Sequence, residues 1–153
     1  MIRLGIVSDS HGCLSMIEKA AVALSDCDQV IHLGDVVSDA ERLARRLPCP
    51  VHCVRGNCDS YSSGAPEQMT LKVSGHTLLL THGNTYRVKQ GLLMLAYGAR
   101  EVGADIVLYG HTHIPSVDRD GPLLLINPGA LMDGRYAILT FSDNGPVPAM
   151  KVL

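Results

Sequence analysis

The sequence predicts an α/β fold, a mixed β-sheet with flanking helices, from three observations. Short apolar, β-branched runs alternate with segments of helical period through the first half, the pattern of parallel βαβ units. Two apolar runs then face each other across Ser74-Gly75-His76, which reads as an antiparallel hairpin. The tail closes with further strands joined at Asp120-Gly121 and Asp143-Asn144-Gly145, both hairpin-turn signals. With 153 residues and no repeat, linker or low-complexity segment, the chain is expected to form a single domain over 1–153.

Each element has its own justification. Residues 4–8 begin as Leu-Gly-Ile-Val and read as a buried first strand. Leu14, Ile17, Ala20, Ala21 and Leu24 recur at helical spacing, and residues 30–33 make a second strand. Ser38 is placed to cap a second helix, which carries Ala40, Leu43, Ala44 and Leu47 and stops before Pro48. Residues 51–54 form a third strand, and 69–73 with 77–81 form the hairpin. A third helix is expected over 88–102, weakened at Gly91 and Gly98 by up to ~1 kcal/mol each relative to alanine. Strands at 106–109, 116–119, 123–126 and 136–141 complete the chain.

Composition excludes several function classes. Thirteen basic against fifteen acidic residues leave a net charge of −2, so bulk electrostatics give no support for wrapping a nucleic acid or coating an anionic membrane. The apolar stretches fall far short of the ~20 residues a membrane helix needs. Met1-Ile2-Arg3 runs straight into a strand without the apolar region of a signal peptide, so a cytoplasmic location is expected. The five cysteines (Cys13, Cys27, Cys49, Cys53, Cys58) are odd in number and lack repeated C-x-x-C spacing. That argues against a disulfide framework or a structural zinc knuckle, and most are expected to be buried free thiols.

The chemistry lies at the carboxyl ends of the strands. Asp9 and His11 follow the first, Asp35 the second, Asn57 the third, His82 the hairpin, and His111 and His113 the strand ending at Tyr109. Ligands in open α/β sheets bind beyond these ends, so side chains far apart in sequence are expected to converge. Asp9 with His11, and His111 with His113, are i, i+2 pairs, which project to one side if the backbone is extended. Carboxylate and amide oxygens mixed with imidazole nitrogens suit Mn, Fe, Co, Ni or Zn, and seven such ligands are too many for one ion. They suit two divalent ions sharing a carboxylate.

In order, these blocks read D-x-H, G-D, G-N-C-D, H-G and G-H-T-H, and the chain is identified by them as resembling the calcineurin-like metallophosphoesterase superfamily. Asn127-Pro128-Gly129-Ala130 is similar to the N-P-G-S stretch of its small YfcE-like phosphodiesterase branch. The resemblance implies a β-sandwich with helices on both outer faces (αββα layers). It puts Asp9, His11 and His113 on one metal and Asn57, His82 and His111 on the other, with Asp35 bridging. The cofactors it implies are two divalent transition-metal ions, Mn foremost, with Ni, Fe, Co or Zn also suited. A hydroxide between the ions would attack a phosphate ester in line, with Asp35 and Asn57 at the reaction centre. Two dications, two carboxylates and one hydroxide leave about +1, which suits the single negative charge of a phosphodiester. The implied partner is thus a small phosphate ester, and the resemblance leaves room for a homo-oligomer.

One position departs from the wider superfamily. Cys58 stands where many members carry the histidine of G-N-H-[DE], commonly assigned leaving-group protonation. A thiol is a poorer acid than an imidazolium near neutral pH, which favours substrates with good leaving groups. The YfcE-like branch shares this cysteine. His32, His52 and His76 fit no ligand position, and His32 is expected to be a hydrogen-bonded core residue. Arg55 and Asp59 either orient a ligand or contact phosphate, or form a surface ion pair, while Asn127 either supports the cleft or serves turn chemistry. A Rossmann domain is excluded because Ser8-Asp9-Ser10-His11-Gly12-Cys13 lacks the glycine fingerprint. A phosphoaspartate enzyme would leave the histidines idle. The remaining alternative is a catalytically weak or inactive scaffold for protein binding, as in a retromer subunit of the same fold.

Overall fold

The structure is a computed structural model describing residues 1–153. Its elements run β1 (Ile2–Val7), α1 (Leu14–Ala23), β2 (Gln29–His32), α2 (Val37–Arg46), β3 (Val51–Cys53), β4 (Gln68–Val73), β5 (His76–Thr81), α3 (Leu93–Glu101), β6 (Ile106–Leu108), β7 (Ser116–Asp120), β8 (Leu123–Asn127), β9 (Arg135–Ser142) and β10 (Gly145–Val152). They build two mixed five-stranded sheets, ordered β10-β9-β1-β2-β3 and β4-β5-β6-β8-β7. β1, β2 and β3 are mutually parallel, as are β5, β6 and β8.

Period-2 alternation sorts each strand between two cores. Leu4 and Ile6 of β1, Leu78 and Leu80 of β5, and Leu124 and Ile126 of β8 point into one cluster between the sheets. Val7 and Ile138 point the other way, against Ile17, Leu24 and Leu43 around α1 and α2. Leu79, Val107 and Leu125 do the same against Leu95, Ala96 and Ala99 of α3. The layers are therefore αββα, and the unbroken apolar runs exist because these strands are covered on both faces.

Three local expectations are corrected. The third helix does not begin at Val88: two short 3₁₀ turns, Asn84–Tyr86 and Val88–Gln90, come first, and α3 begins at Leu93. Gly91 breaks the run with φ 123°, a conformation open to glycine alone. Ser38 does not cap α2, since the boundary residue is Val36 and the Val37 N–H is taken by Asp59 Oδ1 at 2.8 Å. A further strand, β10, follows the Asp143-Asn144-Gly145 turn; it carries Pro146 and Pro148, which is tolerated because β10 is an edge strand.

Candidate metal centre

All seven predicted ligands lie in the loops that leave β1, β2, β3, β5 and β6 at their carboxyl ends. Asp9, His11, Asp35, His111 and His113 all have positive φ, between 47° and 71°. The expectation that the two D-x-H and H-x-H pairs are extended is thus corrected: the pairs converge through left-handed turns. Asp and His are among the residues that enter this region most readily, yet each such residue still costs about 1 kcal/mol or more. Strain is concentrated where the side chains meet.

The carboxylates form the floor. Asp9 is fully buried; its Oδ2 accepts from the Ser8 hydroxyl (2.7 Å) and the His111 N–H (3.1 Å). Its Oδ1 is the one buried side-chain oxygen without a hydrogen-bond donor. Around that oxygen stand the Nε2 atoms of His113 (3.1 Å), His11 (3.7 Å) and His82 (3.7 Å). Asp35 Oδ1 accepts from the Cys58 N–H (2.9 Å), leaving Oδ2 to face His82 Nε2 (3.3 Å) and His11 Nε2 (3.7 Å). His82 Nδ1 donates to the Leu33 carbonyl (2.7 Å), which aims Nε2 inward, 3.2 Å from His111 Nδ1. Three clusters have ligand atoms close enough to hold an ion: Asp9-His11-His113, Asp9-Asp35-His82, and His11-Asp35-Cys58. Asn57 sits exposed at the rim, next to Cys58, with its amide 3.7 Å from the Cys58 sulfur.

A buried carboxylate oxygen with no donor costs free energy unless a cation meets it. The hard-oxygen and imidazole donor set around Asp9 Oδ1 fits divalent transition metals. Burial would raise the Asp35 carboxyl, but the His82 ring and the Cys58 N–H outweigh it and hold it well below the usual range. Burial works against protonated His82 as well, yet Asp35 and Asp9 together push its ring above the ordinary value. His111 is lowered by burial and then by the neighbouring His82 and Lys89. Burial and the Asp35 carboxylate push the exposed Cys58 thiol up, so it stays protonated at neutral pH.

Residues that the spacing argument left aside hold these loops. The Asp59 carboxylate accepts from the N–H groups of Asp35 (3.0 Å), Gly56 (2.8 Å) and Val37 (2.8 Å), fixing Asp35 and the start of α2 together. Asp59 orients a ligand loop rather than pairing with Arg55, which stacks on Tyr61 at 4.6 Å and donates to the Ala65 carbonyl. A Cβ on Gly56 would overlap the Asp35 carboxylate, so glycine is required there by close approach. Asn127 serves both readings: its amide donates to the Gly110 carbonyl and Thr112 hydroxyl, and its Oδ1 accepts from the Gly129 N–H. The sequence signal for Asp59 was its place in G-N-C-D.

The remaining candidates are structural. His32 is fully buried and hydrogen-bonded on both ring nitrogens, as expected. His52 meets Gln29, and His76 meets Asp105 at 2.7 Å. All five cysteines are free, but only Cys27 is buried, which corrects the expectation for the others.

Residues 2–144 match the calcineurin-like phosphoesterase superfamily domain, and the chain belongs to that superfamily. It is 34% identical to a probable metallophosphoesterase, YsnB, of Bacillus subtilis, over 91% of this chain and 84% of the relative. It is 31% identical to the phosphodiesterase YfcE of Escherichia coli K12, over 86% and 80%. Among solved structures, a predicted phosphoesterase from Streptococcus pneumoniae superposes with a TM-score of 0.81 at 28% identity, covering 99% of this chain and 89% of that one. Vps29 from Entamoeba histolytica superposes with a TM-score of 0.79 at 18% identity, covering 99% of each chain, a likeness of fold alone.

Proposed function

We propose that this chain, as one domain over 1–153, is a metal-dependent phosphodiesterase that hydrolyses a small phosphate ester in the cytoplasm by in-line attack. Asp9, His11 and His113 would hold one divalent transition-metal ion, Mn foremost, and Asn57, His82 and His111 a second, with Asp35 shared. Bound there, the ions would supply a water-derived nucleophile and positive charge for the phosphoryl oxygens. The observation that carries this reading is Asp9 Oδ1, buried without a donor and ringed by three imidazole nitrogens.

The chain's own groups do the positioning. Leu33 fixes which His82 nitrogen faces the cluster, and the Cys58 N–H fixes which Asp35 oxygen does. The Cys58 thiol keeps its proton near neutral pH and is a weak donor to a leaving group, so good leaving groups are favoured. The test strips the protein of metal and assays bis(p-nitrophenyl) phosphate with Mn, Ni, Mg and Zn in turn. Turnover restored by transition metal is expected. No turnover with metal demonstrably bound would return the chain to the scaffold reading.

A further inference from the structure

We propose that Ser10 and Asp39 are positioning residues, a buried clamp that holds Asp9, His11 and Asp35 in their left-handed turns before any metal arrives. The inference rests on the two-metal reading and adds residues that touch neither ion nor substrate.

Ser10 lies between two predicted ligands and is fully buried, as is His32; Asp39, in the first turn of α2, is 1% exposed. The Ser10 hydroxyl has two acceptors in reach, Asp39 Oδ2 at 2.7 Å and the Asp35 carbonyl at 3.3 Å, and the shorter contact is favoured. The Gly34 N–H donates to His32 Nδ1 (3.1 Å), so that nitrogen carries a lone pair and the ring proton sits on Nε2. His32 Nε2–H therefore donates to Ser10 Oγ (2.8 Å), and the Ser10 hydroxyl is free to donate to Asp39 Oδ2 (2.7 Å). The same Asp39 oxygen accepts from the Gly12 N–H (2.8 Å), just past His11. Backbone bonds complete the tie, with the N–H groups of Ser10 (3.0 Å) and His11 (3.3 Å) both meeting the Asp35 carbonyl, and that of Asp9 meeting Gly34 (3.0 Å).

Asp39 enters no ion pair, and its buried carboxylate accepts two hydrogen bonds, both from the loop carrying Asp9 and His11. Both of those residues sit at positive φ, 53° and 47°, and relax toward ordinary backbone unless held. Relaxation would carry two of the three donors of the Asp9-His11-His113 cluster away from one another. The clamp bears that strain in the fold rather than charging it to metal binding.

The experiment compares wild type, Ser10→Ala, Asp39→Asn and the double variant. Mn²⁺ affinity is read from free Mn²⁺ by electron paramagnetic resonance, and exchange of the His11 and Gly12 amides is followed in metal-free protein. Leu95→Ala, in α3 where it packs against the far sheet, controls for lost stability alone. Each clamp variant should bind Mn²⁺ 10- to 100-fold more weakly. Both amides should exchange faster, the double variant should lose no more than the worse single, and Leu95→Ala should keep wild-type affinity. Unchanged affinity and unchanged exchange in Ser10→Ala and Asp39→Asn would overturn the clamp, as would an equal affinity loss in Leu95→Ala. Wild type that takes up no Mn²⁺ would overturn the metal reading, while the exchange arm still decides whether Ser10 and Asp39 hold the loop.

Discussion

At the residue scale, the carboxylates divide their oxygens between scaffold and site. Asp35 spends Oδ1 on the Cys58 N–H and presents Oδ2 to His82 and His11. Asp35→Asn keeps that shape but removes the charge that a bridging ligand supplies, so activity or second-metal occupancy should fall at least ~100-fold. Metal analysis with a diester assay checks this; full activity with both ions retained would remove Asp35 from the bridging role. Cys58 gives a second prediction. Its thiol is protonated but exposed, and burial and Asp35 make it a reluctant acid. Cys58→Ala should change kcat/KM little for aryl diesters, while Cys58→His should selectively improve alkyl diesters by adding a donor that works near neutral pH. A ~1000-fold fall in Cys58→Ala on an aryl substrate, metals retained, would make the thiol a direct participant.

At the element scale, helix boundaries are set by distant groups. α2 starts where Asp59, more than twenty residues later in the chain, accepts the Val37 N–H, a cap that no inspection of residues 36–39 reveals. The same carboxylate holds the Asp35 and Gly56 amides, so Asp59→Ala should cost about 2 to 4 kcal/mol and loosen Asp35. Urea unfolding of the metal-free variant measures it, and a loss under about 0.5 kcal/mol would show that other contacts suffice. α3 was legible as a helix because Leu95, Ala96 and Ala99 repeat at helical spacing. Its start was not, because Val88 continues the spacing of Leu92, Leu95 and Ala96, while left-handed backbone at Arg87 (φ 52°) and the break at Gly91 (φ 123°) are invisible in the residue pattern.

At the scale of the whole molecule, acid stability depends on a buried ring, His32. Burial lowers His32 from 6.5 to about 4, with Asp39 opposing the shift only in part. The unfolded chain therefore binds a proton below pH 6.5 that the folded chain refuses until about pH 4, and stability is lost as pH falls through that window. The loss is on the order of 3 kcal/mol. His82 is raised, so its contribution is present below its unfolded value and lost as pH rises through its higher folded value, outside this window. The depressed Asp35 acts below the ordinary carboxylate range, outside it too. His111 is lowered like His32, so the comparison needs a partner variant. Metal-free wild type and His32→Gln should be unfolded by urea at pH 7 and pH 4.5; the stability difference should shrink in the variant, and an equal difference would clear His32.

The sequence by itself determined the family, the αββα class and which side chains stand at strand ends, because apolar period and the order of D-x-H, G-D, G-N-C-D, H-G and G-H-T-H are local properties of the chain. The roles of Asp59, Ser10, Asp39 and Gly56 were decided only in three dimensions. Asp59 and Asp39 look like ordinary loop and helix acids until the fold brings Asp35, Gly12 and Ser10 within hydrogen-bonding reach. The left-handed turns at Asp9, His11, Asp35, His111 and His113 were equally illegible, since non-glycine residues adopt positive φ only where surrounding contacts hold them there. The loops leaving β1, β2, β5 and β6 gather around the Asp9 and Asp35 carboxylates, and that gathering is a property of the packed whole.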